Sequence, residues 1–236
     1  MQLVLSLFPG IGLLDMAFEQ EGFCVVRGPD LLWGGDQRRF HPPAGKFDGV
    51  IGGDPCPAHS HLGLVSAQAG CEVSPDLSGE FARCVIEASP EWWLRENVPG
   101  APMLSVDGYA TRRTELENRL HCGGIQRRRR VFDFGTRAGW PLALEWWRPA
   151  VAAQCVPTVT ANATIWKGGR AFGDKSDRYL RDVMLPAQGL PADFLSDAPF
   201  TVAGKIRVVG NGVPLPMGRA IAKAVKAATA TERQIA

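Results

Sequence analysis

Apolar positions along the chain fall into two rhythms. Residues 3–7 are apolar apart from Ser6, which predicts a first strand over residues 2–7, covered on both faces. Leu13, Leu14, Met16, Ala17 and Phe18 then recur at helical spacing, and Gly22 closes that helix. Apolar runs at 23–26, 47–51 and 92–95 predict three more strands. Between them, residues 76–88 carry Leu77, Phe81, Cys84, Val85 and Ala88 on one helical face, and Pro90 stops the helix. Residues 109–117 mix helical propensity with an aromatic and two threonines; a strand is predicted. Gly123-Gly124 breaks it, and a basic run feeds a further strand ending at Phe134. A short helix over 179–188, a tight turn over 208–214 and an amphipathic helix after Pro216 complete the pattern. That last helix has Met217, Ile221, Ala224 and Val225 on one face and lysines on the other. Strands that alternate with helices predict an α/β fold on a parallel sheet.

The carboxyl edge of such a sheet is where ligands bind, so the strand ends hold the candidate chemistry. The first strand runs into Phe8-Pro9-Gly10-Ile11-Gly12, a turn able to cradle a nucleotide. Asp15 stands where a dinucleotide fingerprint has its third glycine, and a plain strand-to-helix turn gives the same pattern. Asp30 follows the second strand at about the 20-residue spacing of a ribose-binding acid; a surface aspartate fits equally well. The third strand ends in Gly52-Gly53-Asp54-Pro55-Cys56-Pro57, which holds a thiol in a stiff turn between prolines. The fourth ends in Glu96-Asn97-Val98-Pro99-Gly100, placing a carboxylate in the same sheet as Cys56. In Gln126-Arg127-Arg128-Arg129-Arg130, strand alternation puts Arg128 and Arg130 on one face.

Composition sets broad bounds. The 236 residues suit one α/β domain with a small appendage, and the formal net charge of +2 neither requires nor excludes nucleic acid. The six cysteines form no C-x-x-C pair, so no metal site is expected. His59 and His61 read as polar residues of a long loop over 57–75, of the kind that closes over a site. Neither a signal peptide nor a membrane span is expected, and a cytoplasmic setting is the default. From Thr136 the composition shifts: Trp140, Trp146, Trp147 and Trp166, with Lys167-Gly168-Gly169-Arg170, suit either nucleic-acid contacts or a small irregular core.

Taken together, these elements resemble the cytosine-C5 DNA methyltransferases over nearly the whole chain and in that family's order. Residues 6–12 are similar to its D-L-F-x-G-x-G motif, with Ser6 and Pro9 as variants. Asp30 falls at its ribose-binding acid and Gly35-Asp36 at the motif whose aspartate meets adenine. Gly53-Asp54-Pro55-Cys56 resembles its Pro-Cys motif, usually G-P-P-C-Q; Asp54 and Pro57 depart from it. Glu96-Asn97-Val98 and Gln126-x-Arg128-x-Arg130 match E-N-V and Q-x-R-x-R unchanged. Residues 178–191 resemble R-x-L-T…R-L-Q-G-F-P, and Gly210-Asn211-Gly212-Val213-Pro214 resembles G-N-S-V-P. The compact form with G-G-D-P-C also resembles members encoded by bacteriophages.

The resemblance implies a Rossmann-like S-adenosylmethionine-dependent domain formed by residues 1–135 and 205–236. Residues 136–204 would form a much reduced target-recognition region. It implies S-adenosyl-L-methionine contacts at Phe8, Pro9, Gly10, Ile11, Gly12, Asp30, Leu31, Asp36, Gln37, Pro55, Asn211, Gly212 and Val213. It implies catalysis by Cys56 and Glu96 with Arg128 and Arg130, Glu96 having to carry a proton. Double-stranded DNA would meet Ser60, Asn97, Val98, Gln126, Arg127, Lys167 and Arg170, with the target cytosine flipped out. A bacterial or phage-infected cell is the expected setting, and the oligomeric state is left open, a monomer being one option. A tRNA cytosine-C5 methyltransferase and a catalytically silent protein that binds S-adenosylmethionine or DNA are the alternatives.

Overall fold

A computed structural model describes residues 1–55, 75–142, 144, 154–167 and 170–235; for 164–167, 170–172 and 231–235 it describes the backbone only. Residues 56–74, which hold Cys56, His59, Ser60, His61 and all but the last residue of the predicted loop 57–75, lie outside the described residues, as do Trp146 and Trp147.

Six strands form one sheet: β1 (Leu3–Leu7), β2 (Cys24–Arg27), β3 (Gly49–Gly52), β4 (Trp92–Asn97), β5 (Ala110–Glu117) and β6 (Arg129–Thr136). Their order is β2-β1-β3-β4-β6-β5. The first four run parallel, and β6 is antiparallel to both its neighbours. A second sheet is a two-stranded antiparallel ribbon of β7 (Thr164–Lys167) and β8 (Arg170–Gly173).

Strand alternation divides the core between the two faces of the large sheet. Val4, Ile51, Trp92 and Leu94 face one side, where α1 (Leu13–Gln20) contributes Phe18 and α5 (Leu215–Ile235) contributes Met217, Ile221 and Val225. Leu5, Leu7, Val50 and Trp93 face the other, against Phe81, Cys84, Val85 and Ala88 of α2 (Ser78–Ala88). Consecutive tryptophans therefore serve opposite cores: Trp92 meets Phe18 and Phe134, Trp93 meets Phe81 and Tyr109. A third cluster joins Leu13 to Val159, Ala163, Leu180, Met184, Ile206 and Val209.

The predicted strand at 109–117 is present because it zips to β6 along eight residues; a short helix, α3 (Asn118–Cys122), follows it. The predicted turn at 208–214 is corrected. Thr201 caps α4 (Val202–Asn211) by accepting from Gly204 N, and Ile206 and Val209 bury one face of that helix. Only Gly212-Val213-Pro214 remains to turn into α5. The short helix near 179–188 has a π-type turn at Leu180–Met184 between Asp177–Tyr179 and Leu185–Ala187.

Candidate active site

The carboxyl ends of β1, β3 and β4 open on a cavity of about 800 Å³. The glycine turn after β1 forms one wall. Gly10 (φ 56°) and Gly12 (φ 79°) both take left-handed conformations, and Gly12 N donates to Pro9 O at 2.8 Å. Asp30 fixes that wall from the end of β2: its Oδ2 accepts from Gly10 N at 2.9 Å and its Oδ1 from Leu32 N at 2.8 Å. Trp33 Nε1 donates to Gly10 O at 2.8 Å, so both peptide groups of Gly10 are held. Asp15, in place of a third glycine, is buried at the start of α1. It accepts from Ser6 Oγ at 2.6 Å and from Arg27 Nε at 2.9 Å. Burial, the largest influence, pushes its carboxyl above the usual aspartate value; the Ser6 bond and the Arg27 charge offset only part of that.

Phe8, Pro9, Gly10, Ile11, Asp30, Leu31, Asp36, Gln37, Pro55, Asn211, Gly212 and Val213 all line this cavity. Gly12 does not; it supplies the turn and the N-terminal residue before α1. Asp36 is engaged by Arg38 through both carboxylate oxygens, at 2.8–3.1 Å, which holds its carboxyl below the usual range. Gln37 is buried, its Nε2 facing Cys84 Sγ at 3.4 Å, and its Oε1 has no hydrogen-bond partner among the described residues.

Three of the four catalytic candidates, Glu96, Arg128 and Arg130, line the cavity; Cys56 is outside the described residues. Glu96 Oε1 and Arg130 Nε form an ion pair of 2.7 Å, both side chains nearly buried. Gly53 lies beside them: a Cβ added there would sit 2.8 Å from Glu96 Oε2. Arg128 also lines the cavity, yet its guanidinium bonds backbone, donating to Val159 O at 2.8 Å and Gly210 O at 3.0 Å. It pins the segment 158–162 and the end of α4 together, where any Gly210 side chain would overlap the Thr160 backbone.

Two of the residues expected at nucleic acid lie inside the protein. Gln126 is fully buried and donates from Nε2 to Ala187 O at 2.6 Å and Gln188 Oε1 at 2.8 Å. Asn97 is 2% exposed; its Nδ2 donates to Asp54 Oδ2 at 3.3 Å and its Oδ1 accepts from Val98 N at 2.8 Å. Both side chains are consumed inside the protein and act as scaffold. Val98 lines the cavity and Arg127 is exposed. Lys167 and Arg170 lie at facing ends of the β7–β8 ribbon. Sequence reasoning missed Thr158, Val159, Thr160, Ala161 and Asn162, which line the cavity from within region 136–204. Their pairing with the buried Gln126 and Arg128 was the available signal: Val159 N donates to Gln126 Oε1 at 3.3 Å.

Asp54, at the departure from G-P-P-C, is buried. It receives a bidentate pair from Arg95, Nε to Oδ1 and Nη2 to Oδ2, the latter at 2.9 Å. Burial opposes the Arg95 charge, but Asp54 and Asp133 together raise its pKa above the ordinary arginine value.

Among the described residues, no cluster of His, Cys, Asp and Glu could hold a metal ion, and no helix is long and apolar enough to cross a membrane.

A glycine turn, an acid after β2 and an acid–arginine pair thus share one cavity of an α/β domain. No family model matches the chain. The Herpetosiphon aurantiacus type II methyltransferase M.HgiDI is 29% identical over 166 residues, 57% of this chain and 52% of that protein. The Neisseria gonorrhoeae type II methyltransferase M.NgoPII is 27% identical over 165 residues, covering 57% and 48%. The matched part thus spans about half the length of these relatives. In fold, the chain is similar to a candidate DNA modification methyltransferase encoded within an E. coli prophage (TM-score 0.61, 15% identity, 98% of this chain and 100% of that one). It is also similar to the Entamoeba histolytica methyltransferase EhMeth (TM-score 0.60, 10% identity, 95% and 98%). In sequence the chain is thus similar to type II methyltransferases, and in fold to solved methyltransferase structures.

Proposed function

We propose that this protein methylates carbon 5 of cytosine in double-stranded DNA. The observation that carries the reading is the Glu96–Arg130 pair on the same cavity as the Asp30-clamped glycine turn. The residues present fit S-adenosylmethionine. The left-handed glycines allow close approach, Asp30 offers a carboxylate edge to a ribose, and the orphaned Gln37 Oε1 awaits a donor such as an adenine amine. Bound there, the cofactor would supply the methyl group.

The chain's own residues do the rest. Cys56, which follows Pro55 in the sequence, is the proposed nucleophile: its thiolate would add to cytosine C6 and make C5 electron-rich, and loss of the C5 proton after methylation would break the Cys56–C6 bond and return the thiolate. Glu96 would hydrogen-bond N3, where attack on C6 pushes charge, and Arg130 would hold O2. Arg128 acts behind them by fixing the 158–160 backbone. The target base has to leave the duplex to reach this depth. Nucleoside mass spectrometry of DNA and tRNA incubated with the protein and labelled cofactor tests the proposal. Label in 5-methylcytosine from DNA is expected. Label only in tRNA would move the activity to the RNA substrate, and none in either would leave a silent binding protein. Cys56→Ala should abolish product while S-adenosylhomocysteine still binds by calorimetry.

A further inference from the structure

We infer that Asp54 is a positioning residue, and that a buried chain of alternating charges sets the geometry on both sides of the candidate site. This rests on the proposed methyl transfer and deepens it. Asp54 stands two residues after the end of β3 and two before Cys56 in the sequence, and its side chain is inaccessible to solvent. A lone carboxylate cannot be kept there; Arg95 of β4 meets it with a planar fork, and Asn97 adds a bond at 3.3 Å. Arg95 goes on to Asp133 of β6, with Nη1 to Oδ2 at 3.5 Å, and Asp133 is closed by Arg113 of β5 at 2.6 Å. The signs alternate and sum to zero across four residues on three neighbouring strands and the turn.

The same groups hold the segment that follows Glu96-Asn97-Val98. Arg95 Nη1 donates to Pro102 O at 3.0 Å and Arg113 Nη1 to Ala101 O at 2.7 Å, while Leu104 N donates to Asp133 Oδ2 at 2.9 Å. Arg95 precedes Glu96 in β4, so its side chain leaves the opposite face of the strand and does not touch the cavity. One network therefore ties Asp54, next to Pro55, to the strand that presents Glu96. A proline at position 54 would stiffen the turn locally; the aspartate fixes it by tying it to the neighbouring strand. A buried ion pair is a costly way to gain stability, and its better use is to select one arrangement among several.

The test separates this from the methylation reading. Site-resolved alkylation of Cys56 by iodoacetamide, with exposed Cys155 as internal control, reports the turn directly. Asp54→Asn should change the Cys56 rate several-fold and leave Cys155 unaltered. Arg95→Lys, which keeps the charges balanced but loses the fork, should do the same if Asp54→Asn does not fold. In the methylation assay either variant should lower kcat on the order of 10²-fold, the scale of a small misplacement, with the Kd for S-adenosylhomocysteine unchanged. Wild-type alkylation at Cys56 in both variants overturns the inference, as does a kcat within twofold of wild type. Inactive wild-type protein would count against the proposed function alone, because the alkylation comparison still decides the positioning role.

Discussion

Glu96 of β4 and Arg130 of β6 meet at 2.7 Å, with Gly53, just after β3, against the Glu96 carboxyl group. Three strands thus converge on one acid–base pair, at the edge where parallel sheets bind ligands. If Glu96 is the group that meets N3, Glu96→Gln should lower methyl transfer about 10²–10⁴-fold while cofactor affinity is kept. Gly53→Ala should do similar damage without removing any catalytic atom, because its methyl group displaces Glu96. Filter-binding kinetics with tritiated cofactor, beside calorimetry, would show it. Full activity in Gly53→Ala would mean that the carboxylate works from another rotamer.

Asp30 and Asp36 both face the cavity, but their engagements differ. Asp30 holds the backbone of Gly10, so Asp30→Ala loosens the turn as well as removing a ribose partner. A loss of about 1.5–3 kcal/mol in S-adenosylhomocysteine binding is expected, roughly ten- to a hundredfold. Asp36 already spends its carboxylate on Arg38, so Asp36→Ala should cost less. Calorimetric titration ranks the two, and equal losses would contradict the clamp.

The strands along the chain and the turns after them were legible because they rest on local pattern: apolar runs, glycines at strand ends, acids just beyond them. The partners of the polar motif residues were not. Gln126 and Asn97 look like surface readers in sequence, yet their amides are satisfied by Ala187, Gln188 and Asp54, contacts between 43 and 62 residues away along the chain. Residues 208–211 read as a turn because two glycines flank Asn211. The Thr201 cap and the burial of Ile206 and Val209 made them helix. Long-range hydrogen bonding and tertiary burial leave no periodic trace, so these assignments needed the fold.

Asp15 gives a pH prediction with a definite sign. Its carboxyl is raised above the unfolded value of 3.8, chiefly by burial. The folded protein keeps this proton where the unfolded chain has released it, so the contribution to stability is complete below 3.8 and is lost as pH rises through the raised value. Asp15→Asn cannot titrate. Thermal unfolding of both proteins from about pH 3 to pH 7 should show the difference moving in the variant's favour over that window and levelling above it. Movement in the opposite direction would show that Ser6 and Arg27 outweigh burial.

The β7–β8 ribbon bears on how much sequence the protein can read. Reading a base pair in the major groove needs a side chain on a rigid element, and each good bidentate contact discriminates by about 1–3 kcal/mol. Between the end of β6 and Asp177, this ribbon is the one regular element among the described residues. Its four-residue strands offer room for one or two such contacts. Phosphate contacts from Arg127, Arg129, Lys167 and Arg170 would then carry much of the affinity and report no sequence. Arg129 sits in an ion pair with Glu115, so part of its charge is spent at home. The expected recognition site is short, about two to four base pairs, and binding should weaken steeply with salt. Bisulfite sequencing of DNA methylated by the purified protein, with sedimentation to establish its oligomeric state, tests this. A long strict site read by a monomer would refute it, whereas a long site read by a dimer would assign the missing contacts to the second copy.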